Sequence, residues 1–147
     1  MKSIISCLIA LMLCAPGAWA AGGGDRDSDS AWGPAIRKAI DAEDWTGAMA
    51  LLQRDVAGNT ATADTYNYLG YANRKLGQYD MAFKYYAVAL KMNPEHKGAH
   101  EYVGETYLAV GNLEMAKKHL AALDRICFFG CKEFDDLKAA VAAYRPK

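Results

Sequence analysis

Residues 63–96 read ADTYNYLGYANRKLGQYDMAFKYYAVALKMNPEH, and residues 97–130 read KGAHEYVGETYLAVGNLEMAKKHLAALDRICFFG. Compared at a separation of 34, Tyr68 meets Tyr102, Gly70 meets Gly104 and Gly77 meets Gly111. Met81 meets Met115, Ala82 meets Ala116 and Lys84 meets Lys118. Gly77 stands where a first helix ends, a place where positive φ is cheap for glycine. Asn93-Pro94 stops a second helix, because the residue before proline avoids the α region. Gly70 and Ala82 are small where two antiparallel helices cross, and Tyr66, Leu69, Tyr79 and Tyr86 fill the space around that crossing. Each unit is therefore a helix–turn–helix, and it repeats.

A period of 34 with this pattern resembles the tetratricopeptide repeat (TPR). Tyr66, Leu69 and Gly70 stand where that family has W-x-x-L-G. Ala82, Tyr86, Ala89 and Pro94 stand where it has A-x-x-x-F-x-x-A and its closing proline. The following unit keeps Val103, Gly104, Tyr107, Gly111, Ala116 and Leu120, but Phe128 stands in place of the proline. A preceding unit, about 29–62, keeps Trp32, Trp45, Ala48 and Leu52, with Ile36 at the small crossing position. Terminal repeats are often atypical because one side faces solvent. Phe134, Leu137, Val141 and Tyr144 recur at helical spacing in 132–144, which predicts a capping helix. The expected architecture is all-α, a TPR-type solenoid of three helix pairs (29–62, 63–96 and 97–130) plus the cap, the whole domain spanning 32–144.

Upstream of the repeats, Lys2 and the apolar run Ile4 to Leu13 precede Ala18-Trp19-Ala20, the pattern of an export signal cleaved after Ala20. That run is too short to span a bilayer permanently. Cys14 follows Leu13 rather than a small residue, so lipidation is not expected, and Cys7 and Cys14 leave with residues 1–20. Residues 21–31, rich in glycine and aspartate, read as a disordered linker. Lys and Arg number 17, as do Asp and Glu, and removal of Lys2 leaves the mature chain about one charge negative. That balance gives no reason to expect nucleic acid or an anionic membrane as partner. The expected product is periplasmic, with no stable membrane insertion.

The resemblance implies a right-handed superhelix that binds peptides or proteins on a concave face lined by the first helix of each pair, with no catalytic machinery and no cofactor. Its groove positions fall on Arg37, Asp41, Asn67, Tyr71, Arg74, Lys75, Glu101 and Glu105, a basic middle with an acidic far end. Ordinary solvated charges are the alternative reading of that set. The positions used by relatives that grip C-terminal carboxylates hold Gly33, Arg37, Tyr68, Gly98 and Tyr102, which does not support that specificity. The implied partner is another exported or envelope protein. Small exported TPR proteins occur in envelope biogenesis, secretion and cytochrome maturation.

Two cysteines remain after cleavage, Cys127 and Cys131. In an oxidising compartment they read as a disulfide. Closing so short a loop stabilises by only about 2 kcal/mol, so its expected role is to fix the turn that seats the cap. The rival reading is a thiol-redox or metal-handling protein that uses these cysteines, with His119 or the His96/His100 pair as further ligands. His96 and His100 are expected to straddle a turn between repeats, and no metal site is assigned. No serine–histidine–acid arrangement, phosphate loop or paired-carboxylate cleft is present in the sequence, so an enzyme is not expected.

Overall fold

A computed structural model of the chain describes residues 33–146. The expected leader (1–20), the linker (21–31) and Trp32 lie outside the described residues, as does Lys147. Among the described residues seven helices follow one another: α1 Pro34–Asp41, α2 Trp45–Ala57, α3 Ala63–Lys75, α4 Tyr79–Met92, α5 Lys97–Ala109, α6 Leu113–Ile126 and α7 Lys132–Ala143. They form three antiparallel pairs and a closing helix, the all-α TPR-type solenoid expected from the repeat.

Local signals set the helix ends. Thr62 and Thr65 form a reciprocal capping box at the start of α3. Asp44 and Asn112 cap α2 and α6 by accepting from Gly47 N and Met115 N. The turns between the helices of each pair reuse one backbone solution. Gly77 and Gly111 take φ of 73° and 83°, and Glu43, at the equivalent position of the first pair, takes φ of 54°. A side chain in that left-handed region costs about 1 kcal/mol or more, so the first pair carries strain that the other two avoid.

The pairs pack where the repeat places small residues. A Cβ at Gly70 would lie 2.5 Å from Tyr86 Cε1, and Tyr86 is fully buried. Leu69, Val103 and Leu137 are all buried and keep the spacing of the repeat. The helix expected as a cap therefore occupies the place of a first helix in a further pair. α7 packs on both α5 and α6, and a Cβ at Gly104 would lie 2.6 Å from Leu137 Cδ2. Ile36, Leu52, Tyr68 and Leu69 form one core cluster. Ala82, Tyr86 and Val103 form a second, and Leu123, Cys127 and Leu137 a third. Tyr79, expected to fill the crossing, is only half-buried. It borders a surface depression of about 410 Å³ shared with Gly77, Met81 and Val110.

Gly70→Ala should lose about 1–3 kcal/mol in urea unfolding, because the buried Tyr86 ring has nowhere to move. Gly33→Ala should change stability by less than about 0.5 kcal/mol, because nothing lies within 4 Å of a Cβ there. Equal effects at the two sites would show that the α3–α4 crossing is misplaced.

Candidate functional site on the inner helices

α3 and α5 lie side by side, and three contacts in one register join them. The Asn67 amide sits against Gly98, where a Cβ would come within 3.2 Å of Nδ2. One turn further on, the Tyr71 and Tyr102 rings meet with centroids 4.8 Å apart. At the next turn, Arg74 Nη2 lies 2.7 Å from Glu105 Oε2. Trp45, at the start of α2, meets Tyr71 edge-on at 5.6 Å. Trp45, Tyr71 and Tyr102 thus make a continuous aromatic row, and cations lie on it. The Arg74 guanidinium is 5.4 Å from the Tyr71 centroid and 5.8 Å from that of Tyr102. Lys75 Nζ is 5.3 Å from Trp45 and 5.5 Å from Tyr71. Attraction between cation and ring quadrupole favours both placements.

This geometry revises the expected groove. Asn67 is not an outward group but is 1 % exposed, because glycine at position 98 lets α5 approach α3 closely. Glu101 is buried as well, at 8 % exposure, on a helix that α7 covers. The expected basic middle and acidic far end are not separate, since Arg74 and Glu105 are bound to one another. Arg74 is therefore a structural bridge between α3 and α5. Lys75, Arg37 and Asp41 are exposed, and Tyr71 is half-buried. Of the positions associated with a carboxylate grip, Tyr68 is buried, Gly98 is covered by Asn67 and Tyr102 packs on Tyr71.

Electrostatics follow from this burial. The Glu101 carboxyl is pushed up to about 8, first by burial and then by the nearby charges of Glu105 and Asp136, with Lys132 opposing. Burial likewise raises the Tyr102 and Tyr86 phenols.

The histidines sit otherwise than expected. His96 is the N-cap of α5 and His100 lies in its first turn, so both belong to one helix start rather than to the two sides of a turn. His96 Nδ1 accepts from Ala99 N at 3.1 Å, which leaves Nε2–H to donate to Asp64 Oδ1 at 2.9 Å. This clasp ties α5 to the first turn of α3, and no local sequence signal marks it because its partners are far apart in the chain. His100 Nε2 donates to Pro94 O at 2.9 Å, so His100 Nδ1 accepts from His119 Nδ1–H, also at 2.9 Å. Burial, then the neighbouring imidazole, lowers His119 to about 4, and burial also lowers His100. His119 is thus engaged with His100. Among the described residues no group of three or more His, Cys, Asp or Glu side chains is placed to hold a metal ion.

Cys127 and Cys131 are joined as a disulfide, with Cα atoms 5.5 Å apart. Cys127 is buried beside Leu123 and Leu137. Gly130, with φ of 85°, closes the turn before α7, while Phe128 and Phe129 stand out at 82 % and 97 % exposure.

Glu101 provides a test of the site's electrostatics. Its folded pKa near 8 lies above the ordinary 4.5 that it regains on unfolding, so the folded state retains a proton that the unfolded chain releases. Its contribution to stability therefore falls as pH rises from about 4.5 through about 8. Glu101→Gln should match wild type near about pH 4 and exceed it by at least about 1 kcal/mol near about pH 9 in chemical unfolding. Parallel pH profiles for the two proteins would contradict the buried placement.

The tetratricopeptide repeat family matches residues 63–96, which span α3, α4 and the turn leading to α5. No curated protein matches the chain. No helix among the described residues is long and apolar enough to cross a membrane. The chain carries a tetratricopeptide repeat at its centre, set within an all-helical solenoid of the same type.

Proposed function

We propose that this chain is an exported adaptor that holds a segment of another envelope or exported protein against the inner face of its helices. A tetratricopeptide repeat supports a protein-interaction scaffold in general. The observation that carries the finer reading is the row Trp45, Tyr71 and Tyr102, fringed by Lys75 and the Arg74–Glu105 pair. Aromatic rings with polar edges offer an extended peptide or a partner helix both stacking area and hydrogen bonds. Export to the periplasm is supported by the leader pattern from Lys2 to Ala20 and by the Cys127–Cys131 disulfide, which suits an oxidising compartment.

The rival reading, thiol-redox or metal-handling chemistry at Cys127 and Cys131, has less support. Cys127 packs into an apolar cluster with Leu123 and Leu137, the surroundings of a structural cystine rather than a reactive thiol.

Lys75 is the better probe of the inner face, since it is exposed and holds no ion pair among the described residues, whereas changing Arg74 also breaks the bond to Glu105. A photo-crosslinking amino acid placed at Lys75 should give discrete adducts with a partner in envelope extract. The same group at Lys118, exposed on α6, should give few or none. Adducts from Lys118 alone would place the binding surface on the outer helices instead.

A further inference from the structure

We infer that this chain binds a second copy of itself head to tail, the Phe128–Phe129 tip of one copy seated in the apolar recess beside Met81 and Val110 of the next. The two rings give the fold nothing by burial, since they stand 82 % and 97 % exposed. They are also held out rather than left loose. Cys127, at one end of the tip, is buried against Leu123 and Leu137. Cys131, at the other end, is the N-cap of α7, and a disulfide joins the two. The rings lie edge to face with centroids 5.1 Å apart, so they form one apolar knob. A knob whose backbone is already ordered loses little conformational freedom on docking, the condition that suits an aromatic anchor at a protein interface.

The opposite edge of the same solenoid carries a recess of matching chemistry. Gly77, Tyr79, Met81 and Val110 border a depression of about 410 Å³. Met81 and Val110 are 38 % and 47 % exposed, and Leu76 beside them 40 %. With the two phenylalanines these make five of the seven large apolar side chains left exposed among the described residues, so apolar exposure is concentrated at these two places. A closed cavity of about 150 Å³ accepts benzene, so the depression has room for a phenyl ring. Met81 offers that ring a flexible thioether. The tip cannot reach the recess of its own chain. Val110 precedes α6 and Phe128 follows it, so 14 helical residues separate them, about 21 Å at the rise of an α-helix. Basic and acidic residues balance at 17 each, so two copies meet without net repulsion. Knob and recess are different surfaces, and the contact therefore joins copies in an open series rather than a symmetric pair. Two rings bury roughly 300–400 Å², short of the roughly 800 Å² per partner of a stable interface, so the association is weak and reversible. Neither surface includes Trp45, Tyr71 or Tyr102, and a series of copies offers several inner faces to one partner.

The test is sedimentation velocity together with amide spectra of the isotopically labelled chain, from about 10 μM to about 1 mM. Sedimentation should quicken with concentration, and the amides of Met81, Val110, Phe129 and Gly130 should shift along one binding curve. A Phe128→Ser/Phe129→Ser chain and a Val110→Glu chain should each stay monomeric over that range, with their folds intact because all three sites are exposed. An equimolar mixture of these two variants should regain pairing, because one supplies the recess and the other the knob, and it should stop at two copies. Lys118→Glu should associate as wild type does. A wild-type chain that stays monomeric to about 1 mM would overturn the proposal. So would a mixture no more associated than its components, or shifts at Phe129 without shifts at Met81 and Val110, which mark contact of knob with knob. Binding to phosphatidylcholine vesicles through the tip, by a chain that stays monomeric, would assign the rings to a lipid surface instead.

Discussion

The contact between Tyr71 of α3 and Tyr102 of α5, with ring centroids 4.8 Å apart, sets how one repeat lies on the next. Gly98 lets the helices approach on one side of it, and the Arg74–Glu105 pair closes the other. Arg74 also stacks over both rings, so one side chain joins the aromatic row to the acidic helix. Exposed ion pairs contribute little. This one is about four-fifths shielded and shares its cation with two aromatic faces, conditions under which coupled interactions exceed their separate values.

The repeat was legible in the sequence because each pair solves the same local problem. Gly70 against Tyr86 and Gly77 in the left-handed turn have no substitutes of comparable ease, and both can be read from spacing alone. Leu137 follows Val103 at the spacing of the repeat, which marks α7 as the first helix of another pair as well as a cap. The groove was less legible. The repeat places Asn67 and Glu101 on the first helices of their pairs, but says nothing of how deeply a neighbouring helix covers them. Their burial depends on Gly98 and on α7, which are contributed by other repeats. The clasp between His96 and Asp64 escaped for the same reason, since a histidine N-cap has no distinctive local pattern.

Two of the inter-repeat turns, those before α5 and α7, show alternative ways to seat a first helix. Before α5, Pro94 breaks the preceding helix and His96 both caps the new one and reaches back to Asp64. Before α7, the Cys127–Cys131 bond and Gly130 hold a tight turn in which Cys127 faces the core. A disulfide across so few residues stabilises modestly through chain entropy. Its structural effect is to fix where α7 begins, and so to bring Lys132, Glu133 and Asp136 beside Glu101. The electrostatic surroundings of Glu101 thus depend on a covalent constraint outside them.

The seam between α3 and α5 is one coupled unit rather than a row of independent surface groups. A double-mutant cycle on stability with Arg74→Gln and Glu105→Gln measures that coupling directly. An interaction energy of about 1 kcal/mol or more is expected between the two sites. Additivity within about 0.3 kcal/mol would contradict it and reduce the pair to an ordinary surface ion pair.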